Sequence, residues 1–140
     1  MAALSEKTAV VAVGGPTATG KTALAVHLAR AFGGEVISAD SMQVYRGLDI
    51  GTAKATEAER QGVPHHLLDI LDPAQPFSVA DFVAAAGRCI DTLTAAGTLP
   101  ILAGGTGLYL TSLLGGMDFT PEKPDPALRA ALERRAAAEG

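Results

Sequence analysis

Tryptophan is absent from these 140 residues, and aromatic side chains make up only 4 % of them. A core must therefore be filled by aliphatic side chains and alanine, and a 48 % hydrophobic content is enough to pack one domain. Cysteine occurs once, at Cys89, which excludes an internal disulfide, suits a reducing compartment and reads as a small buried apolar residue. Basic residues are in deficit, with 11 Lys and Arg against 15 Asp and Glu, a net charge of −4. Phosphate neutralisation drives nucleic-acid affinity, so this chain by itself is not expected to grip nucleic acid strongly. No apolar run is long enough to cross a bilayer. Residues 1–8 lack the basic start and apolar stretch of a secretory leader. A soluble, cytoplasmic monomer with no membrane partner is the expectation.

What is present is a complete G-x-x-x-x-G-K-[ST] loop: Gly15, Pro16, Thr17, Ala18, Thr19, Gly20, Lys21 and Thr22. It follows the apolar run Ala9–Val13, which predicts a buried strand, and precedes a predicted helix to Phe32. On that helix Leu24, Leu28 and Phe32 recur every fourth residue, with Ala25 and Ala29 beside them, as on a buried face. Gly15 and Gly20 permit backbone angles and a close approach that a Cβ would block. The loop amides and the helix N-terminus then form an anion nest. Lys21 brings a mobile charge to the terminal phosphate, and the Thr22 hydroxyl is placed to hold Mg²⁺. Such a loop implies a bound di- or triphosphate, ATP included, without choosing between them.

Gly33-Gly34 ends the first helix. A second strand is predicted over Val36–Ala39, leading to Asp40 at the carboxyl edge, where ligands gather in parallel α/β sheets. Residues 40–54 are polar and glycine-punctuated, a functional loop in which Met42–Tyr45 makes one helical turn. A brief helix over Glu57–Gln61 and loop histidines His65 and His66 follow; two adjacent histidines point different ways and make a poor metal pair. Ser78, with Asp81 three residues on, caps a helix whose stripe is Phe82, Ala86, Ile90 and Leu93 and which Gly97 closes. Leu99–Ala103 is the third predicted strand, with Pro100 tolerable near its start. Gly104-Gly105-Thr106-Gly107 leads into a helix over Leu108–Leu114, stopped by Gly115-Gly116. Met117–Pro124 reads as a linker, and Asp125 caps a last helix with Pro126 first and an Arg129–Glu133 pair on its face. The expected fold is a phosphate-loop NTPase-like three-layer α/β/α sandwich on a parallel sheet. Residues 1–116 would form its core and 117–140 a linker and helix. Three strands are few for such a sheet, whose usual complement is nearer five or six, so the chain is expected to be the front half of a longer protein.

Three carboxyl-edge segments should converge: the phosphate loop, the Asp40 loop and the Thr106 loop. Asp40 is a candidate general base, a metal ligand, or a structural N-cap. The Thr106 hydroxyl is placed either to donate to a leaving-group oxygen or to cap the helix after it. An ordinary ATPase strand here ends in an acidic residue that holds Mg²⁺; this one ends in Gly-Gly-Thr, which counts against ATP hydrolysis.

Taken in order, Gly15–Thr22, Ile37–Lys54, Val63–Asp69 and Gly104–Tyr109 resemble the tRNA dimethylallyltransferase family. Thr19 stands where that family often has serine, and Ala55 where it often has proline, a change that affects loop stiffness. The resemblance implies transfer of a dimethylallyl group from dimethylallyl diphosphate to the N6 amine of an adenine beside the anticodon. The phosphate loop then holds the diphosphate rather than ATP, with Mg²⁺ as cofactor. Asp40 becomes the base, and Thr106 lies near the bridging oxygen of the leaving group. Asp40, Ser41, Met42, Gln43, Thr106 and Arg129 match tRNA-contacting positions, although a solvated helix arginine explains Arg129 equally well. The family's helical insertion and later arginines are absent here, so tRNA would be held mainly by that missing region. The 140-residue chain alone is expected to bind tRNA weakly and to transfer little. Prenylation of free adenine nucleotides, a small-metabolite kinase and a non-catalytic nucleotide-binding module are the alternatives.

Overall fold

The computed structural model describes residues 8–117, 119 and 125–140. Its order is β1 (Val11–Gly14), α1 (Lys21–Phe32), β2 (Gly34–Ser38), α2 (Glu57–Arg60), β3 (His65–His66), α3 (Val79–Ala95), β4 (Leu99–Gly104), α4 (Gly107–Leu114) and α5 (Pro126–Glu139). The strands form one parallel sheet in the order β1-β4-β2-β3.

Alternation along the strands builds a core on each side of the sheet. Val13, Val36 and Ile101 pack with Ala25, Val26 and Ala29 of α1. Their neighbours Ile37 and Leu102 pack on the opposite face, against Phe82, Ala86, Ile90 and Leu93 of α3 and Tyr109 and Leu113 of α4. Register enforces this division: Ile101 lies level with Val11 and Val36, and Leu102 with Ala12 and Ile37. A one-residue slip would exchange the two sets. Aromatics are scarce but concentrated, since Tyr109 stacks on Phe82 with ring centroids 4.2 Å apart and Phe77 meets it edge-on at 6.5 Å. That cluster joins α4 to α3.

Several elements differ from their sequence expectation. β1 begins at Val11 rather than Ala9 and stands at the end of the strand order, where Ala12 is exposed instead of buried. The buried face of α1 is Ala25, Val26 and Ala29, while Leu24 and Phe32 are 49 % and 67 % exposed. Small side chains let the helix lie close to the sheet, and the larger ones are left on its outer flank. A fourth strand, β3, forms from the two histidines, which were expected in a loop. It is too short and too polar to show periodicity, and it is registered by Val36 and Ile37 of β2.

The remaining elements match closely. Gly33 ends α1 in the left-handed region (φ 65°), its N–H bonded to the Ala29 carbonyl. Ser78 and Asp81 form a reciprocal capping box at α3. Pro100 is paired only with β2, because β1 joins β4 from Ile101 onward, which leaves room for a residue without an N–H. Asp125 caps α5 by accepting from the Ala127 and Leu128 amides, and Arg129 pairs with Glu133 at 3.1 Å. The leader expectation concerns residues 1–8, of which 1–7 lie outside the described residues, as does most of the linker, namely 118 and 120–124.

Candidate active site

Gly20 occupies the left-handed region (φ 84°) at the N-cap of α1, so the chain turns from the phosphate loop straight into the helix. The Thr19 hydroxyl donates to the Pro16 carbonyl at 2.8 Å, and the Lys21 ammonium donates to the same carbonyl. The lysine thus folds back onto its own loop.

Across the sheet edge, β2 delivers Asp40. Its Oδ1 accepts from the backbone amides of Met42 (2.8 Å) and Gln43 (3.2 Å), so the capping role foreseen as one alternative is present. The second oxygen, Oδ2, has no protein hydrogen bond among the described residues. Tyr45 N–H closes the expected single turn on the Met42 carbonyl at 3.2 Å.

From β4 comes Gly104, where a Cβ would lie 2.2 Å from the Ala39 carbonyl oxygen. Only glycine fits that approach, which brings the ends of β4 and β2 together. Thr106 then occupies the N-cap position of α4, but its side chain does not cap. Its hydroxyl instead accepts from the Ser41 amide at 3.0 Å and lies 3.4 Å from the Ser41 hydroxyl.

These three segments enclose a cavity of about 210 Å³. Lys21, Thr22, Asp40, Gln43, Thr52 and Gly105 are among its walls. The expected convergence is therefore present, with one exception: Thr106 supports the Asp40 loop and is not among the lining residues. Arg129 is not among them either; it lies on α5, which buries no residue. A more apolar recess of about 450 Å³ adjoins this cavity, sharing Thr17, Asp40 and Thr52 with it and adding Met42, Leu48 and Gly51.

Sequence reasoning missed Thr52 and Glu59 as cavity walls and the internal use of Gln43. Gln43 Oε1 accepts from Ser38 at 3.1 Å, and Nε2 donates to the Thr52 carbonyl at 2.9 Å. Glu59 reaches the cavity wall from a capping box with Thr56, a T-x-x-E spacing that is readable as a helix start. The Thr56 amide holds the Glu59 carboxyl below its ordinary value. Burial, followed by the charges of Tyr45, Asp81 and Asp40, raises the Tyr109 hydroxyl above its usual range.

A family model described as IPP transferase matches residues 43–140, more than half of the chain. The chain belongs to the IPP transferase family. A second model, isopentenyl transferase, matches residues 8–72 of this IPP transferase family member. Similar curated proteins include the tRNA dimethylallyltransferase of Thermomicrobium roseum, 56 % identical over 98 % of this chain and 42 % of that protein. Another is the tRNA dimethylallyltransferase of Levilactobacillus brevis, 58 % identical over 94 % of this chain and 43 % of that one. Among solved structures, the full-length tRNA isopentenylpyrophosphate transferase of Bacillus halodurans superposes with a TM-score of 0.80 at 50 % identity, covering 96 % of this chain and 44 % of that one. A eukaryotic dimethylallyltransferase acting on tRNA gives 0.79 at 34 % identity, covering 90 % and 32 %. This member of the IPP transferase family spans about two-fifths of the length of the curated relatives it matches.

Proposed function

We propose that the protein acts in transfer of a dimethylallyl group from dimethylallyl diphosphate to the exocyclic N6 amine of an adenine next to the anticodon of tRNA. The observation that carries this reading is that Lys21 and Asp40 line one cavity. In the reaction the allylic C–O bond breaks, diphosphate leaves with the electron pair, and the N6–C bond forms. Lys21 and the loop amides neutralise the charge growing on diphosphate. The adenine amine is a poor nucleophile because its lone pair is delocalised into the ring. Asp40 Oδ2 takes its proton, while the Met42 and Gln43 amides keep the carboxylate aimed through Oδ1.

The donor set fits Mg²⁺. The Thr22 hydroxyl lines the cavity, and hard oxygen donors combined with phosphate oxygens suit that ion. When bound, the ion supplies Lewis-acid neutralisation of the diphosphate. The adjoining apolar recess suits a hydrocarbon group beside the diphosphate. Thr106 acts by fixing Ser41, and Asp40, Ser41, Met42 and Gln43 form the segment that meets an acceptor RNA, with Gln43 held in place by Ser38 and the Thr52 carbonyl. Arg129 is a further phosphate contact on exposed α5, its surface pair with Glu133 being weak enough to exchange. The target adenine must leave its stack to reach the cavity. Two names support the reading, those of the tRNA dimethylallyltransferase relatives and of the eukaryotic structure acting on tRNA. We also assign a cytoplasmic, monomeric state and a preference for dimethylallyl diphosphate over ATP.

A second reading, prenylation of free adenine nucleotides, is favoured by the isopentenyl transferase match over 8–72, which spans the cavity segments up to β3 and names no acceptor. Incubating the full gene product with labelled dimethylallyl diphosphate, Mg²⁺ and either tRNA or AMP separates the two. Label in tRNA alone supports the first reading, and label in AMP alone overturns it.

A further inference from the structure

The loop of residues 48–53 supplies a wall to both recesses: Thr52 and Ala53 to the polar one, Leu48, Gly51 and Thr52 to the apolar one. Yet it contains no strand or helix, and its Ile50 is 97 % exposed. Burial of apolar surface does not hold such a loop in place. Its last turn is closed by Ala53 N–H on the Ile50 carbonyl and Lys54 N–H on the Asp49 carbonyl, both at 3.1 Å. Local turns of this kind shape a loop without anchoring it to the domain.

The anchor is a lysine. The Lys54 side chain is only 3 % exposed, and its ammonium donates to Asp49 Oδ1 at 2.7 Å, to the Tyr45 carbonyl at 2.8 Å and to Asp69 Oδ1. Three acceptors match the three N–H donors of an ammonium, so the buried charge is fully satisfied. The acceptors come from separate places. Asp49 belongs to the loop, Tyr45 to the turn after Asp40, and Asp69 to the segment after β3. That segment already pairs with the turn, since Asp69 N–H bonds the Gln43 carbonyl at 3.2 Å and Ile70 N–H the Val44 carbonyl at 2.9 Å. Burial works against the charge on Lys54, but the hydrogen bonds and fields of Asp49 and Asp69 outweigh it and raise its pKa.

We propose that Lys54 is the positioning residue of the diphosphate cavity, gathering Asp49, Asp69 and the Tyr45 carbonyl so that the 48–53 loop stands as a wall beside Asp40. Gln43, bonded to the Thr52 carbonyl, is the second tether of the same wall. This rests on the reading of the cavity as a diphosphate site. Asp49 and Asp69 are partly exposed, so their carboxylates rehydrate if the lysine is lost. The loop is then released while the sheet remains folded.

The test uses Lys54→Met, which keeps the apolar stem, and Asp49→Asn, which keeps an acceptor oxygen but removes the negative charge of one partner at an exposed position. Amide hydrogen exchange of the unliganded protein is followed together with calorimetric binding of inorganic pyrophosphate and Mg²⁺. In Lys54→Met, amides 49–54 are expected to exchange at least about tenfold faster while those of β2 and β4 are unchanged, and pyrophosphate affinity should drop about tenfold. Asp49→Asn should move both in the same direction by less. A merely structural lysine would lower the unfolding midpoint but leave the affinity of the folded protein intact. Unaltered loop exchange, or a released loop with unaltered affinity, overturns the proposal. If Lys54→Met does not fold, Asp49→Asn decides on the same two readouts. A wild-type protein that binds no pyrophosphate refutes the diphosphate reading and, with it, the functional half of this proposal; the exchange data still decide whether Lys54 holds the loop.

Discussion

The Thr106 hydroxyl accepts a hydrogen bond from the backbone N–H of Ser41 at 3.0 Å, across 65 positions of sequence. The loop after β4 is thereby tied to the loop after β2, on the side where Asp40 faces the phosphate loop. A residue expected either to touch the leaving group or to cap its own helix makes no side-chain cap in this structure and bonds the neighbouring loop instead.

Replacing Thr106 by valine keeps its shape but leaves the part-buried Ser41 amide without its acceptor. Thermal unfolding should show a loss of about 1 kcal/mol, the usual cost of such a bond, and Thr106→Ser should recover most of it. Equal stability of the valine variant and the wild type would show that the bond carries no weight.

Gly104→Ala is expected to be among the most damaging single-methyl additions in the chain. Its Cβ would sit 2.2 Å from the Ala39 carbonyl oxygen, within the backbone of two paired strands that cannot easily part. Overpacking of this kind costs about 1–3 kcal/mol or more, and a denaturant midpoint unchanged from wild type would contradict the close approach.

His65 gives stability a pH dependence. Burial lowers its pKa below 6.5, against a smaller opposing effect of its bond to the Val63 carbonyl, while Arg60 and His66 lower it further. The unfolded chain therefore binds the proton more readily. This contribution is complete above pH 6.5 and is lost as pH falls from there through the lower folded value. Melting curves between pH 7.5 and 5.5 should show a steeper decline for the wild type than for His65→Asn; parallel declines would count against the burial effect.

Much of this was legible in the sequence because the signals were local. Ser78 with Asp81, Asp125 with Pro126, and Gly33 each specify a helix end through their own neighbours, and all three stand where expected. The phosphate loop and the stripe Phe82–Leu93 were readable for the same reason. The misses share the opposite property. Which flank of α1 is buried depends on how closely the sheet approaches, and β3 exists only because β2 offers it an edge. The burial of Lys54 follows from carboxylates 5 and 15 residues away, a relationship no spacing rule announces. The same applies to Thr106, whose partner is fixed by the crossing of two loops.

The central claim, that Asp40 is the proton acceptor in a cavity built for diphosphate, is tested most directly by Asp40→Asn in the full gene product. Asparagine keeps an oxygen for the Met42 and Gln43 amides but cannot accept the N6 proton. Labelled dimethylallyl diphosphate and tRNA are supplied with Mg²⁺, and transfer and diphosphate binding are measured on the same preparation. The expected result is unchanged diphosphate affinity and unfolding midpoint, with transfer reduced about 10²–10⁴-fold. Transfer at the wild-type rate would contradict the account.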